Sequence, residues 1–240
     1  MPSRQLVIFD FDETVLSAGS INQMLKFLPD YSRPPSFETG EISWIDYCKS
    51  ILKELQSMGY SPQTLSKFIC MIPPTPSMVK FIQHLCCCSE PKYDLIMISD
   101  CFRYFIINWL HKHKILDCFT GIYCNPSEIT DCGELVVSAY HCVECPYSKR
   151  NLCKRRVMED FVRLQRDLHI NYDRVIYVGD GKNDFCPSLS MCPCDLMCAR
   201  KGAWLEKIIE ENRKKLKIRP EIFLWANGYE LIAKVDQKKT

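Results

Sequence analysis

Three short apolar runs, each followed at once by acidic or hydroxyl side chains, constrain the fold of this 240-residue chain more than any other feature. The runs and their polar ends are residues 7–9 before Asp10 and Asp12, residues 95–98 before Ser99 and Asp100, and residues 175–178 before Asp180 and Asp184. Apolar runs of this length predict strands that are buried on both faces, as in a parallel sheet. Ligands of such sheets bind beyond the carboxyl ends of the strands. We therefore expect the polar ends to meet in one site.

The first and third runs carry paired carboxylates. Asp10 and Asp12 lie two residues apart, so an extended backbone directs them to one face, where they repel each other unless a cation lies between them. Asp180 and Asp184 can complete a cage of oxygen ligands, because Gly179 removes a side chain where the backbone must come close. Mg²⁺ prefers oxygen ligands, so the four aspartates predict a magnesium site. A solvated pair of aspartates in a loop is the alternative.

The segments between these runs show helical periodicity. Residues 15–74 predict a helical insertion, with Ser43 and Ser61 as N-caps of two of its helices, and segments 1–14 and 75–240 predict strands separated by helices. This order is typical of an α/β fold with a doubly wound parallel sheet. The insertion after the first strand would form a small cap that excludes water from the active site. The basic C-terminal tail is expected to fray.

The motifs of the chain resemble those of the haloacid dehalogenase-like phosphatases. Residues 10–14, Asp-Phe-Asp-Glu-Thr, match their first motif, DxDx[TV]. Ser99 matches the hydroxyl of the second motif and Lys154 the lysine of the third. Residues 179–184, Gly-Asp-Gly-Lys-Asn-Asp, match the fourth motif. The resemblance implies a Rossmann-like core and a phosphatase activity.

The chain resembles one branch of these enzymes more closely, the phosphoethanolamine/phosphocholine phosphatase and pyridoxal-phosphate phosphatase family. This resemblance rests on five short segments, residues 140–141, 142–146, 151–154, 179–187 and 200–202. The chain departs from the family at two positions that are implicated there in substrate recognition. Ile21 replaces an acidic residue, and Cys101-Phe102 replaces a small residue followed by Asn. The resemblance therefore predicts the reaction better than the substrate.

The resemblance also implies a role for each acidic motif residue. Asp10 would attack phosphorus and form an aspartyl-phosphate, and Asp12 would act first as general acid and then as general base. Mg²⁺ would be bound by Asp10, the backbone carbonyl of Asp12 and Asp180. Asp184 would bind the ion through water or orient the other ligands.

Three further residues are expected to bind substrate. Ser99 and Lys154 would contact the phosphoryl oxygens, where fixed donors and positive charge stabilise the transition state. The resemblance makes Asp100 a substrate contact, whereas its position after a strand equally suits a helix N-cap. Lys154 has an alternative too, because Arg155 and the other basic residues around it could form a solvated face.

These features predict a Mg²⁺-dependent phosphatase that hydrolyses a small soluble phosphomonoester, with pyridoxal 5′-phosphate, phosphoethanolamine and phosphocholine as candidate substrates. Ile21 lacks the charge that would attract a cationic head group, which favours pyridoxal 5′-phosphate. Two alternatives remain open. The first is a phosphatase for phosphoserine, a nucleotide or pyrophosphate, and the second is a non-catalytic interaction protein with a zinc-binding cysteine cluster.

The chain has 16 cysteines, which we expect to be reduced in the cytoplasm because the N-terminal sequence has no export signal. Most are expected to be small buried hydrophobic residues. His141, Cys142, Cys145 and Cys153 form a candidate zinc site, since they combine a C-x-x-C spacing with two further soft ligands. The alternative is a set of buried thiols that packs a loop.

The charge balance limits the partners. A net charge of +2 creates no strong field for nucleic acid or for a membrane surface, and no run approaches the ~18 apolar residues of a membrane span. We therefore predict a cytoplasmic enzyme whose partner is a small-molecule phosphomonoester, without a nucleic-acid or membrane partner.

Overall fold

Strand β1 (Arg4–Phe9) is buried from Leu6 onward. Its side chains alternate between two hydrophobic cores, since Val7 and Phe9 pack into one core and Leu6 and Ile8 pack into the other. A strand that is covered on both faces is typical of a parallel sheet with helices on both sides.

The computed structural model describes residues 3–35 and 42–237. Within these residues, six parallel strands form the main sheet in the order β3-β2-β1-β6-β7-β8, and β4 and β5 form a separate antiparallel hairpin. The strands after β1 are β2 (Lys92–Phe102), β3 (Phe119–Asn125), β4 (Ser127–Ile129), β5 (Leu135–Val137), β6 (Arg174–Gly179), β7 (Leu196–Arg200) and β8 (Glu221–Trp225). The helices are α1 (Ser20–Leu25), α2 (Trp44–Ser57), α3 (Pro62–Met71), α4 (Met78–Cys87), α5 (Arg103–Lys112), α6 (Lys154–Asp167), α7 (Phe185–Ser188), α8 (Trp204–Asn212) and α9 (Gly228–Val235).

The doubly wound parallel sheet predicted from the sequence is confirmed. From β1 the chain builds the sheet outward through β2 and β3, and it then returns to pair β6 with the other side of β1. Such a reversal leaves a crevice at the carboxyl ends of the two central strands, where ligands bind. Asp10 follows β1 and Asp180 follows β6, so both aspartates border this crevice.

Helices α1, α2 and α3 lie in the segment where the helical insertion was predicted. The chain leaves the core and returns to it through two adjacent connections, because Leu16 and Pro74 form an antiparallel bridge. Ser43 and Ser61 cap α2 and α3 as predicted, and their Oγ atoms accept backbone N–H groups at 3.1 and 3.2 Å. The division into core and cap at residues 15–74 stays a prediction.

Beyond the last strand the structure contains a helix, α9, that the sequence did not predict. Asn227 caps this helix, and its Oδ1 accepts two backbone N–H groups of the first turn at 3.0 and 3.2 Å. Helix α9 packs against α4. Gly228 is required at this contact, because a side chain there would collide with the carbonyl oxygen of Ser77. Residues 238–240 of the basic tail lie outside the described residues.

Candidate active site

The ends of β1 and β6 bring Asp10 and Asp180 side by side. The backbone N–H of Asp10 donates to the carbonyl oxygen of Val178 at 3.0 Å, so the strand pairing continues into the site. Both aspartates line a cleft of about 820 Å³. A cleft of this size suits a small-molecule ligand.

Lys154 is the first residue of α6, and its side chain is completely buried. Its Nζ lies 2.6 Å from Oδ1 of Asp10 and 2.7 Å from Oδ1 of Asp184. Burial acts to lower the pKa of Lys154, but the charges of the two carboxylates outweigh it and hold this pKa above its usual value. A buried cation requires such partners. The alternative of a solvated lysine face is therefore wrong for Lys154.

The carboxylate of Asp184 is saturated with hydrogen bonds. Its Oδ1 accepts from Nζ of Lys154 at 2.7 Å and from the hydroxyl of Tyr177 at 2.8 Å. Its Oδ2 accepts the backbone N–H groups of Asp180 and Gly181 at 3.1 and 2.9 Å. Since a carboxylate accommodates about four hydrogen bonds, this arrangement favours the orienting role of Asp184 over a direct bond to a metal.

Asp12 is hydrogen-bonded to helix α1 through Ser20, the first residue of this helix. One oxygen of Asp12 accepts the backbone N–H of Ser20 and the other accepts its hydroxyl, both at 2.8 Å. Burial raises the pKa of Asp12 to about 7, although the hydrogen bonds from Ser20 act in the opposite direction. A carboxyl group with a pKa near neutrality can both give and take a proton, as general acid–base catalysis requires.

Asp10, Asp180 and Asp184 form a buried cluster in which one oxygen of each lies within 4.8 Å of the others. Burial raises the pKa of Asp10 well above its usual range and that of Asp180 to about 8, and neighbouring carboxylates add to both shifts. Oδ1 of Asp10 is buried and forms the 2.6 Å ion pair with Nζ of Lys154. A divalent cation bound by the cluster would offset the repulsion between the carboxylates and keep them ionised. The residues therefore fit a Mg²⁺ ion.

Ser99 and Asp100 lie inside β2, which continues to Phe102. Ser99 is buried, and its Oγ accepts the backbone N–H of Cys101 at 3.2 Å. Phe102, not Asp100, occupies the N-cap of α5, so the N-cap alternative for Asp100 is wrong. Asp100 lines the cleft, and its Oδ2 lies 3.4 Å from Nζ of Lys149.

The wall of the cleft includes apolar and aromatic side chains, those of Ile21, Trp44, Tyr147 and Trp204. Nζ of Lys149 lies 3.2 Å from the centroid of the Trp44 ring. Lys149 therefore links Asp100 of the sheet with Trp44 of helix α2. The positive charge of Lys149 therefore lies beside Asp100, the residue that the resemblance assigned to substrate binding.

The structure brings together two of the four predicted zinc ligands, Cys145 and Cys153, and adds Cys186 to them. The three sulfur atoms lie within 4.8 Å of one another. His141 has a different role, since its Nε2 accepts the backbone N–H of Cys153 at 2.7 Å. Cys142 is exposed and lies outside this cluster.

Sequence reasoning missed the residues that orient the motif side chains. The hydroxyl of Ser20, at the start of a helical pattern, was a usable signal for a partner of Asp12. Tyr177 carried no such signal, because a tyrosine within an apolar run is typical of the core. Lys149 and Trp44 are separated by more than one hundred residues in sequence, so only the fold could reveal their contact.

Comparison with known proteins decides the family. The sequence matches the family described as “Putative Phosphatase” over residues 5–238. The chain belongs to this family. It is similar to the pyridoxal phosphate phosphatase PHOSPHO2 of Mus musculus, with 28% identity over 233 residues and 95% of each chain covered. It is also similar to the phosphoethanolamine/phosphocholine phosphatase of Gallus gallus, with 29% identity over 221 residues, 89% of this chain and 80% of the relative.

A solved structure supports the fold. The haloacid dehalogenase family hydrolase t0658 of Salmonella enterica serovar Typhi is 16% identical and has a TM-score of 0.68, with 100% of this chain and 74% of that chain covered. The protein is therefore a phosphatase of the haloacid dehalogenase-like fold, as its motifs predicted. Within the described residues, no helix combines the length and the apolar character needed to cross a membrane.

Proposed function

We propose that this phosphatase hydrolyses a small phosphomonoester through an aspartyl-phosphate on Asp10, with Mg²⁺ as its cofactor. The proposal rests on the contrast between two carboxyl groups. Asp10 lies 2.6 Å from Nζ of the buried Lys154, whereas burial raises the pKa of Asp12, two residues further along the chain, to about 7. Two carboxyl groups in different environments can divide the work of nucleophile and proton carrier between them.

In the first step, an oxygen of Asp10 attacks phosphorus, and the bond between phosphorus and the ester oxygen breaks. Asp12 gives its proton to that oxygen, so the organic product leaves as an alcohol. Lys154 and the hydroxyl of Ser99 would stabilise the charge that develops on the phosphoryl oxygens.

In the second step, Asp12 is a carboxylate and takes a proton from water while the water oxygen attacks phosphorus. The bond between phosphorus and Asp10 breaks, which releases inorganic phosphate and restores both carboxyl groups. The two hydrogen bonds from Ser20 to Asp12, each 2.8 Å long, keep the carboxylate oriented between the steps.

Asp10, Asp180 and the backbone carbonyl of Asp12 would hold the Mg²⁺ ion, which supplies positive charge that offsets repulsion between the carboxylates and the phosphoryl oxygens. The hydroxyl of Thr14 donates to Oδ1 of Asp180 at 2.9 Å and fixes its orientation. Asp184 would remain outside the direct ligands, because its two oxygens already accept four hydrogen bonds.

Pyridoxal 5′-phosphate is the substrate that we favour. The aromatic side chains of the cleft suit a flat ring, and the mouse relative is a pyridoxal phosphate phosphatase by name. Asp100, which would attract a cationic head group, is already paired with Lys149 at 3.4 Å. Ile21 adds apolar surface to the cleft instead of a second acid. Positions 21 and 100 would therefore offer little uncompensated negative charge to the ammonium group of phosphoethanolamine.

The chemistry can be tested with Asp10→Asn, because an amide has the shape of the carboxylate but is a poor nucleophile. We expect kcat for pyridoxal 5′-phosphate with Mg²⁺ to fall by at least about a thousandfold, with an unchanged circular dichroism spectrum. Acid-quenched wild-type protein should contain phosphorylated Asp10 by mass spectrometry. A variant that keeps more than about a tenth of the wild-type rate would rule out this nucleophile.

The substrate can be tested by comparing kcat/KM for pyridoxal 5′-phosphate and phosphoethanolamine. Ile21→Asp adds a charge, and Ile21→Asn is the matched control because it has nearly the same shape without the charge. We expect the wild type to prefer pyridoxal 5′-phosphate, and Ile21→Asp alone to shift the ratio towards phosphoethanolamine by on the order of tenfold. A wild type that prefers phosphoethanolamine, or equal shifts in both variants, would contradict this choice of substrate.

A further inference from the structure

Three cysteine sulfurs converge beside the lysine of the active site. Cys145 belongs to the loop before α6, Cys153 immediately precedes Lys154, and Cys186 belongs to α7. Their Sγ atoms all lie within 4.8 Å of one another, and those of Cys153 and Cys186 are 4.0 Å apart. The cluster therefore joins three segments that are separate in the sequence.

The spacing of these sulfurs suits a metal ion better than a disulfide. Zn²⁺ binds thiolates at about 2.3 Å in a tetrahedron, which requires neighbouring sulfurs to be about 3.8 Å apart. A disulfide requires its sulfurs to approach to about 2.05 Å. The 4.0 Å between Cys153 and Cys186 is close to the first distance and about twice the second.

The N-terminus of α6 suits a negatively charged sulfur at Cys153. Cys153 is the N-cap residue of α6, and the hydrogen bond with Cys186 and the backbone N–H of Arg156 lower its pKa to about 5. The backbone N–H of Arg155 acts in the same direction on Cys186, but the hydrogen bond with Cys153 and burial outweigh it and raise the pKa of that thiol. These N–H groups have no partner within the helix, and the helix dipole adds positive potential at this end. Cys153 and Cys186 are buried, whereas Cys145 is half-buried and provides a route of entry for an ion.

We propose that Cys145, Cys153 and Cys186 bind Zn²⁺ as thiolates, with a water molecule as the fourth ligand. Each thiol releases its proton to solvent as its bond to the ion forms. The hydroxyl of Ser148 lies 3.4 Å from the Cys186 sulfur and is suited to hydrogen-bond that water.

The ion would act as a structural clamp on the active site. It would hold the cleft-lining loop at residues 146–149 against Lys154, the next residue after Cys153, and against Asp184, two residues before Cys186. Lys154 and Asp184 are 2.7 Å apart, so the clamp would stabilise the geometry of a buried ion pair. This inference concerns metal binding and does not depend on the proposed reaction.

The first experiment measures zinc in the intact protein. Wild-type protein purified without chelators is analysed for metals, then stripped with a high-affinity zinc chelator and incubated again with buffered Zn²⁺. We expect about one zinc per chain, a lower Tm after stripping, and recovery of the Tm with Zn²⁺. Protein that contains no zinc and takes up none from the Zn²⁺ solution would overturn the proposal.

Cysteine alkylation identifies the ligands without any substitution. In zinc-loaded protein, Cys145, Cys153 and Cys186 should be protected from alkylation, and stripping should expose them, while the exposed Cys142 is labelled in both states. Protection that does not change on stripping would contradict thiolate ligation. A disulfide between Cys153 and Cys186 in the protein as purified would also overturn the proposal.

Three variants separate this site from the aspartate cluster. Cys145→Ser should lose the zinc, and Cys142→Ser, a change of the same chemistry three residues away, should keep it. Asp180→Asn should keep it too, because the ion is held by sulfur. Zinc that is retained by Cys145→Ser, or lost in Asp180→Asn, would assign the metal to another site and refute the clamp.

Discussion

Replacement of Ser20 by alanine should raise the pKa of the proposed general acid. Asp12 accepts two hydrogen bonds from this residue, one from the backbone N–H and one from the hydroxyl, both 2.8 Å long. Ser20→Ala removes only the second. Burial raises the pKa of Asp12 to about 7, and both hydrogen bonds act to lower it. The loss of one bond should therefore let the pKa rise further.

The size of the shift follows from the difference between two hydrogen bonds. A hydrogen bond to a charged group contributes about 1.5–3 kcal/mol, and one between neutral groups about 0.5–1.5 kcal/mol. The hydroxyl therefore favours the ionised form of Asp12 over the protonated form by about 1 kcal/mol. Since one pKa unit corresponds to about 1.36 kcal/mol, Ser20→Ala should raise the pKa by roughly 0.7 unit.

The assay is the pH dependence of kcat/KM with an alkyl phosphomonoester, whose leaving oxygen must be protonated. The rate falls as pH rises through the pKa of Asp12, because the ionised form has no proton to give. In Ser20→Ala this alkaline limb should move to higher pH. With p-nitrophenyl phosphate, whose leaving group departs without a proton, the limb should be weak in both proteins.

Ser17→Ala is the control, because Ser17 belongs to the same connection but lines a different cleft. Its pH profile should match that of the wild type. An alkaline limb in Ser20→Ala that stays in place or moves to lower pH would refute the assignment of this limb to Asp12.

Three further predictions concern the metal, the acid and the fold. Burial raises the pKa of Asp180 to about 8, so the folded protein without metal binds a proton that the unfolded chain releases near pH 4, and stability falls as pH rises from about 4 to about 8. Mg²⁺ should therefore raise the Tm more at about pH 8 than at about pH 5. Equal Tm shifts at the two pH values, or a difference that persists in Asp180→Asn, would argue against a Mg²⁺ site at Asp180. Asp12→Asn should lower kcat by about 10²–10⁴-fold, because the proton carrier is lost. It should leave the Mg²⁺-dependent Tm shift intact, because the proposed metal ligand is the backbone oxygen of this residue. Loss of the Tm shift would contradict the assignment of that backbone oxygen as a ligand. Asn227→Ala should lower the free energy of unfolding by about 1 kcal/mol in a denaturant titration without changing kcat, and an unchanged free energy would mean that this cap does not stabilise α9.

The sequence determined those features that depend on short-range order. Apolar runs that lead into Asp10, Ser99 and Asp180 predicted three strands of one parallel sheet, and the strand order brings their ends together. Ser43 and Ser61 predicted the starts of two helices because an N-cap acts on its own first turn. Spacing and local hydrogen bonding suffice for such inferences.

Short-range signals did not suffice where a distant segment set the conformation. The sequence predicted no helix after the last strand, yet Asn227 caps α9 and Gly228 begins it. The helix forms because Gly228, which lacks a side chain, lets its backbone N–H donate to the carbonyl of Pro76 at 2.8 Å. Asp100 was ambiguous for a related reason, since the length of β2 depends on its pairing with β3.

Only the tertiary structure decided how the site residues share their partners. Lys154 and Asp184 are thirty residues apart in sequence but form a buried ion pair, which saturates Asp184 and favours an orienting role for this residue. The sheet likewise brings Cys186 to Cys153, although no spacing rule connects them. Sequence patterns identify which side chains can bind a metal or carry a proton, whereas their hydrogen bonds and their burial depend on segments that meet only when the sheet is assembled.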